Sequence, residues 1–535
     1  MAATSFRRFF LIAIMLVVIP LLGLSLWGSL TEPQITDRLQ LYQTDLLLHV
    51  NEVGANGNQD NNLIAARKAV LGDNPLKTAL EQYQDVRKSA QSNLQKFQAQ
   101  TNHLAKTDKV PVPAAPTAPI TPSAQSKEAL SNLQKQQTLV NQLDLRIGLL
   151  QAEQGNLAAA QKTWAKLVQA PSATPGEPAS DLPITLQLAE VLSELWSQPP
   201  QLLPDAEVLL QKHLEGWFRY KSLSRLYQLQ QRRDALASLQ QQEQQVAEQT
   251  LVKLVLVSTV PAIGAFVGVA LIIGLGIRWL LQRPESAEPL AWQVPWNWET
   301  IAWVLLVGFF FAGQIAIPGI LGLSSRLLSQ AGVSISLSAV AGRAKAFYTL
   351  FYYLLMAATG LFVLYRAVHP FAPLPEDWFR LIGKRNWLLW GIGGYFVALP
   401  LMLLVSLVNQ QFWQGSGGSN PLLQIVLEEG DPIALLIFFF TAAVAAPLFE
   451  ETLFRGFLLP SLTRYFPVWG AIALSSLIFA LAHLSLSEVL PLTTLGAVLG
   501  TVYTRSRGLL SSMLLHSLWN SITMIGLFIL GSGAK

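Results

Sequence analysis

Six side chains near the C-terminus are of types that do chemistry together: Glu450, Glu451, Arg455, His483, His516 and Asn520. All sit in apolar stretches, where an ionisable group is costly and is a functional candidate by default. Only six histidines occur in the chain, and His483 and His516 are the two placed in such stretches. A carboxylate with a histidine can activate water as a general base. A histidine with an amide can donate hydrogen bonds to a developing oxyanion. Glu450, His483 and His516 are also candidate ligands for a divalent metal such as zinc, with one position left open. No His-Glu-x-x-His is present, and the sequence does not separate a metal-dependent from a metal-free route; the lean is to the latter, because Asn520 suits an oxyanion donor better than a ligand. The chain has no cysteine, so a thiol nucleophile, thiolate metal sites and disulfides are excluded.

Spacing groups these residues into three short faces. Glu451 and Arg455 are i,i+4 and can pair on one helix. Glu450 is about 100° round that helix from Glu451, so one carboxylate faces the arginine and the other is free to face a cavity. Phe479 and His483 form a second i,i+4 pair, and His516 and Asn520 a third. At about 1.5 Å per residue, Glu450 is about 18 Å from Leu462, His483 about 24 Å from Pro467 and His516 about 12 Å from Gly508. One shared site within a bilayer is geometrically allowed.

The elements that position them are membrane helices. Of 535 residues 51% are hydrophobic and only 13% charged, with mean hydropathy +0.37, about half the charged share of a soluble protein. The fold class expected is all-α: a polytopic helical membrane protein of eight or nine spans with an extramembrane helical domain. Arg7 and Arg8 precede an apolar run from Phe9 to about Trp27, read as an uncleaved anchor within residues 1–30, the alternative being a cleaved signal peptide. Further spans are expected at Leu254–Ile277, Ile301–Leu323, Ala346–Tyr365, Trp387–Val408, Pro432–Phe457, Val468–Leu486, Val489–Tyr503 and Leu509–Leu530, so that residues 251–410 add helices to a domain at 430–531. If nine spans alternate, Arg278, Arg283, Arg366, Arg380, Lys384, Arg385, Arg455, Arg464, Arg505 and Arg507 all share the side of Arg7 and Arg8. The loop Asn409–Asp431, with Glu428, Glu429 and Asp431, takes the other; only Arg326, Arg343 and Lys345 disagree. This places residues 31–250 outside the cytoplasm.

Residues 31–250 are rich in Leu, Gln and Ala, a helix-favouring composition, broken by the proline-rich stretches Val110–Ala124 and Pro171–Pro183. Over about 140–248, Ile147-Gly148, Gly155, Ala160 and Trp164 fall at the offsets of a tetratricopeptide helix pair. Leu186–Leu214 and Leu223–Leu239 read as degenerate further copies, with Ala206 and Ala235 as close-packing positions. A generic helical hairpin domain is the other reading. Either surface suits docking of a protein partner.

Glu450-Glu451-x-x-x-Arg455, Phe479-x-x-x-His483 and His516-x-x-x-Asn520, in that order on separate segments, resemble the motif set of the CPBP family. This is the CAAX-protease and bacteriocin-processing (Abi) family of intramembrane peptidases, which includes the prenyl-protein endopeptidase called Rce. The resemblance covers about residues 430–530. It implies that Glu450 with His483 activates water, that His516 and Asn520 hold the oxyanion, and that Glu451 and Arg455 orient the site. The family has been described both as metal-dependent and as a glutamate type. The expected activity is hydrolysis of peptide bonds in membrane-embedded, membrane-associated or lipid-modified proteins, with no nucleic acid involved. The expected location is a bacterial inner membrane, or a thylakoid if the source is photosynthetic. The rivals are a non-catalytic scaffold or immunity-type protein of the same fold, and a transporter; the remaining spans carry few charges and show no inverted repeat, which counts against transport.

Overall fold

Long apolar runs with no water to satisfy the backbone must become helices. In the computed structural model the described residues form helices and turns and no strand. The residues described are 2–30, 35–54, 61–71, 74–107, 124–168, 184–281, 291–330, 342–383, 385–413, 417–418, 425–426 and 430–531. Of the linkers expected at Val110–Ala124 and Pro171–Pro183, all but Ala124, which is helical, lie outside them, as do Arg283, Lys384, Glu428 and Glu429. The chain forms two compact units, Met1–Ile35 with Val257–Gly531, and Thr36–Leu256.

The second unit is all helical: α2 (Ile35–Val50), α3 (Asn61–Leu71), α4 (Pro75–Thr107), α5 (Ala124–Glu153), α6 (Leu157–Val168), α7 (Ile184–Leu195), α8 (Ala206–His213), α9 (Gly216–Leu229) and the first half of α10 (Arg233–Leu281). The pair α5–α6 turns at Gly155, whose φ of +82° needs a glycine. Gly148 lets the two helices close: a Cβ there would lie 2.2 Å from Trp164 Nε1. The Trp164 indole is fully buried and donates to the Leu145 carbonyl at 3.2 Å. Small residue and large aromatic thus pack together where these two helices meet.

Among the described residues, eight helices are long and apolar enough to cross a membrane. They are α1 (Ala2–Ser29), α10, α11 (Trp298–Ser324), α12 (Gly342–Val368), α13 (Trp387–Trp413), α14 (Pro432–Leu462), α16 (Leu486–Ser506) and α17 (Leu509–Gly531), with the shorter α15 (Val468–Leu481) between the sixth and seventh. The expectation for this stretch is corrected in its lengths. The segment expected to run on to Leu486 ends at Leu481, and the one expected to be short has 21 residues. The physical reason is Leu484, which takes a left-handed φ of +57°, and Ser485, which is extended; together they break the chain after His483. At 14 residues, α15 is about 21 Å long and falls short of the about 30 Å hydrocarbon core. A loop meets its end: Ser485 and Ser487 hydroxyls donate to the Gly417 and Gly418 carbonyls. The loop expected from Asn409 starts later, since α13 continues to Trp413.

Hydrogen bonds tie several arginine-bearing ends of this unit to neighbouring segments. Arg8 pairs with Glu299 at 2.7 Å. Arg464 donates to the Val294 and Trp296 carbonyls, and the Leu509 N–H to the Arg380 carbonyl. Arg343, which disagrees with the charge pattern, is paired with Asp431.

Candidate active site

Helix α14 carries the two carboxylates, and its backbone is irregular around them. Residues Thr441–Ala445 and Thr452–Leu458 have the wider π-helical turn, on either side of Glu450 and Glu451. Each stretch lies upstream of a proline, Pro447 or Pro460, which has no N–H to give to the carbonyl four residues back. π turns of this kind concentrate at functional sites. Upstream of Pro447 the consequence is specific. The Ala446 N–H reaches back to the Thr441 carbonyl, and Pro447 offers nothing, so Ala442 and Ala443 lose their helical donors. Helix α17 supplies replacements: Asn520 Nδ2 donates to the Ala442 carbonyl at 2.7 Å and Ser517 Oγ to the Ala443 carbonyl at 2.6 Å. In hydrocarbon each such carbonyl left unpaired would cost several kcal/mol, roughly, on the desolvation scale.

Glu451 is wholly buried and is the anchor of the polar cluster. Its Oε1 accepts from Arg455 Nη1 at 2.8 Å and from His516 Nδ1 at 2.9 Å. Arg455 is 1% exposed; it lies 4.4 Å from the centre of the Phe479 ring and gives Nη2 to the Gly496 carbonyl at 3.3 Å. With Nδ1 committed to Glu451, His516 turns Nε2 towards Glu450 Oε2, 3.9 Å away. Glu450 is the accessible carboxylate, its side chain 15% exposed against 0% for Glu451. Glu450 Oε2 and His516 Nε2 thus face each other across that gap. The other oxygen of Glu450, Oε1, accepts from the Tyr353 hydroxyl at 2.9 Å.

His483 stands in the turn after α15, one ring away from the cluster. Its Nδ1 is 2.9 Å from the Phe479 carbonyl, which fixes Nδ1 as the donor and leaves Nε2 with a lone pair in the neutral ring. The Phe479 ring lies between the two histidines, 5.0 Å from His483 and 6.0 Å from His516. Glu450, Glu451, Arg455 and His516 are therefore brought into one hydrogen-bonded group, His483 borders it through Phe479, and Asn520 has one amide hydrogen on the α14 backbone. The candidate metal set Glu450, His483 and His516 is not drawn round one point: among the described residues no three His, Asp or Glu side chains are grouped to hold a metal ion.

Two residues of the site escape a reading of the sequence. Tyr353 lies on a helix remote in sequence, and an aromatic in a membrane helix carries no signal of its own. Ser517 is one serine among several on α17; the proline at 447, with the carbonyls it strips, is the available clue.

Residues 432–522 match the family described as Type II CAAX prenyl endopeptidase Rce1-like. The chain is also 25% identical over 138 residues to the Bacillus subtilis (strain 168) protein named "Putative membrane peptidase YdiL", a match that covers 26% of this chain and 55% of that protein. The chain thus spans about half the length of this curated relative. No solved structure matches. Residues 432–522 are thus similar to the Rce1-like CAAX prenyl endopeptidase family, within a longer chain whose described residues include eight helices long and apolar enough to cross a membrane.

Proposed function

We propose that the chain is an intramembrane endopeptidase that hydrolyses peptide bonds of membrane-associated or lipid-modified proteins without a metal. The observation that carries this reading is the accessible Glu450 carboxylate facing His516 Nε2 at 3.9 Å, on a buried Glu451–Arg455 base. Glu450 Oε2 takes a proton from water and the hydroxyl oxygen bonds to the carbonyl carbon. The carbonyl π electrons move onto oxygen, where a proton-bearing His516 Nε2 and the second amide hydrogen of Asn520 are the donors available. When the C–N bond breaks, the amine leaves with the proton held on Glu450. The bare Nε2 of His483 suits it to orient the attacking water. Glu451 fixes the orientation of the His516 ring through Nδ1, and Arg455 balances the buried charge.

The helical unit, residues 36–256, is read as a docking module of tetratricopeptide-like type outside the cytoplasm. The fit of Gly148 against Trp164 supports the first part, and the charge pattern of the segments between spans the second.

The test is a proteomic comparison of membranes from cells making the wild type or Glu450→Gln, which searches for protein termini that depend on Glu450. Termini lost in the variant are expected. Identical termini in both would leave a non-catalytic scaffold of the same fold as the better account.

A further inference from the structure

We propose that Tyr353 is a positioning residue of the hydrolytic site, supplied by a helix outside the family-matched residues, which selects Glu450 Oε2 as the oxygen that takes the proton from water. The inference rests on the peptidase reading given above. Tyr353 belongs to α12, some 80 residues before the matched segment begins, yet its hydroxyl donates to Glu450 Oε1 at 2.9 Å.

The neighbouring residue supplies the comparison. Tyr352 is the same side chain one step round the helix, about 100° away, and its hydroxyl donates to the Gly313 carbonyl of α11, also at 2.9 Å. A phenol buried in a membrane helix needs an acceptor, and a backbone carbonyl meets that need for Tyr352. Tyr353 instead meets it with the one accessible carboxylate of the site. Its placement is fixed by packing on several sides. The Tyr353 ring meets Phe449, the residue before Glu450, edge-on at 6.2 Å. Gly360 brings α12 down onto the same Phe449, since a Cβ there would lie 3.0 Å from the ring. Gly308 and Gly313 of α11 close against Val363 and Met356 of α12. The register of α12 is set by contacts that have nothing to do with Glu450, and that register delivers the hydroxyl to Oε1.

The chemical consequence follows from the two-fold symmetry of a carboxylate. A free carboxylate has two equivalent oxygens and rotates between them. Here Oε1 is occupied by a donor, and Oε2, beside His516 Nε2, is left to accept the proton. Tyr353 keeps its own proton through the cycle: the proton from water travels to Oε2 and then to the leaving amine. What Tyr353 contributes is aim, and a loss of aim near reacting atoms lowers the rate without weakening substrate binding.

The experiment uses the full-length protein in lipid vesicles and compares Tyr353→Phe, Tyr352→Phe and Glu450→Gln with wild type. The probe is a synthetic peptide spanning a cleavage site found by the proteomic comparison. Tyr353→Phe removes one oxygen atom and is expected to lower kcat by about 10- to 100-fold with KM within about two-fold, while Tyr352→Phe stays within about two-fold of wild type. A second readout needs no turnover: in infrared spectra, the carboxylate band that Glu450→Gln abolishes is expected to shift in Tyr353→Phe and to stay in place in Tyr352→Phe. An unshifted band in Tyr353→Phe, or a kcat equal to wild type in that variant while Glu450→Gln is inactive, would overturn the proposal. If Glu450→Gln cleaves like wild type, the peptidase reading falls instead, and the infrared band still decides whether Tyr353 holds Glu450.

Discussion

His516 and Arg455 meet on a single atom: both donate to Glu451 Oε1, at 2.9 and 2.8 Å, in a pocket of the membrane unit where Glu451 has no exposed surface. One carboxylate oxygen thereby ties two helices, orients a histidine and neutralises a guanidinium. Breaking one side of such a buried pair leaves the other charge uncompensated.

Glu451→Gln keeps the shape and removes the charge. It is expected to destabilise the membrane unit by about 3 kcal/mol, the scale for breaking a buried ion pair, and to abolish cleavage. Thermal unfolding in detergent, followed by tryptophan fluorescence, reads the first effect. A variant as stable as wild type would mean that Arg455 finds another counter-charge.

The carbonyls stripped by Pro447 give a prediction about α17. Ser517→Ala leaves the Ala443 carbonyl without its donor and is expected to cost about 1–3 kcal/mol. Pro447→Ala restores a helical N–H, so the double variant is expected to regain part of that loss. Unfolding midpoints of the four proteins of this cycle measure the coupling; additive effects would refute the link between Pro447 and Ser517.

Metal removal separates the two chemistries open to Glu and His. Because the three candidate ligands are not grouped round one point, dialysis against a strong chelator is expected to leave turnover within about two-fold, no more than the scatter of such assays. Activity lost on dialysis and regained with zinc would overturn the metal-free reading.

In the helical unit, burial raises the carboxyl pKa values of Asp45, Glu153 and Glu243. Each binds its proton more tightly folded than unfolded, so its contribution to stability is full below the ordinary carboxylate range and is lost as pH rises through the raised value. Glu207 has the opposite sign, held low by the Tyr227 hydroxyl and by Arg232, but it is far less buried. Hydrogen exchange of peptides from residues 36–256 of the full chain is expected to be slower at pH 5.5 than at pH 7.5, about one unit either side of the histidine range, after correction for intrinsic rates. Faster exchange at the lower pH would show that the pairs with Lys221, Arg146 and His49 outweigh burial.

Crowding is the test for the α5–α6 hairpin. Gly148→Ala places a methyl against the Trp164 indole and is expected to destabilise the helical unit by about 1–3 kcal/mol. The same exchange readout, restricted to residues 140–168, checks it; unchanged protection would mean that the two helices separate without cost.

Much of the site is readable from residue type alone. Glu450, Glu451, Arg455 and His516 stand out because charge in an apolar run is rare and the i,i+4 spacing pairs one glutamate while freeing the other. In the structure Glu451 is on the arginine and Glu450 in the open. His483 is harder. The apolar pattern continues unbroken to Leu486, and nothing in it announces that Leu484 takes a left-handed conformation, so the pattern puts His483 on a helix where the structure has a turn. Tyr353 depends on the register of a helix against three glycines, a tertiary fact with no local trace. The wider turns of α14 have a visible cause in Pro447 and Pro460, but a proline signals a kink as readily as a π turn.

Those wider turns make chain length a determinant of where Glu450 points. Each added or missing backbone position rotates everything downstream by about 100°. Deleting one alanine from Thr441–Ala445 would therefore preserve every side chain of the motif and still swing Glu450 away from His516 and Tyr353. A census of insertions and deletions in this stretch would find it as intolerant as the glutamate itself.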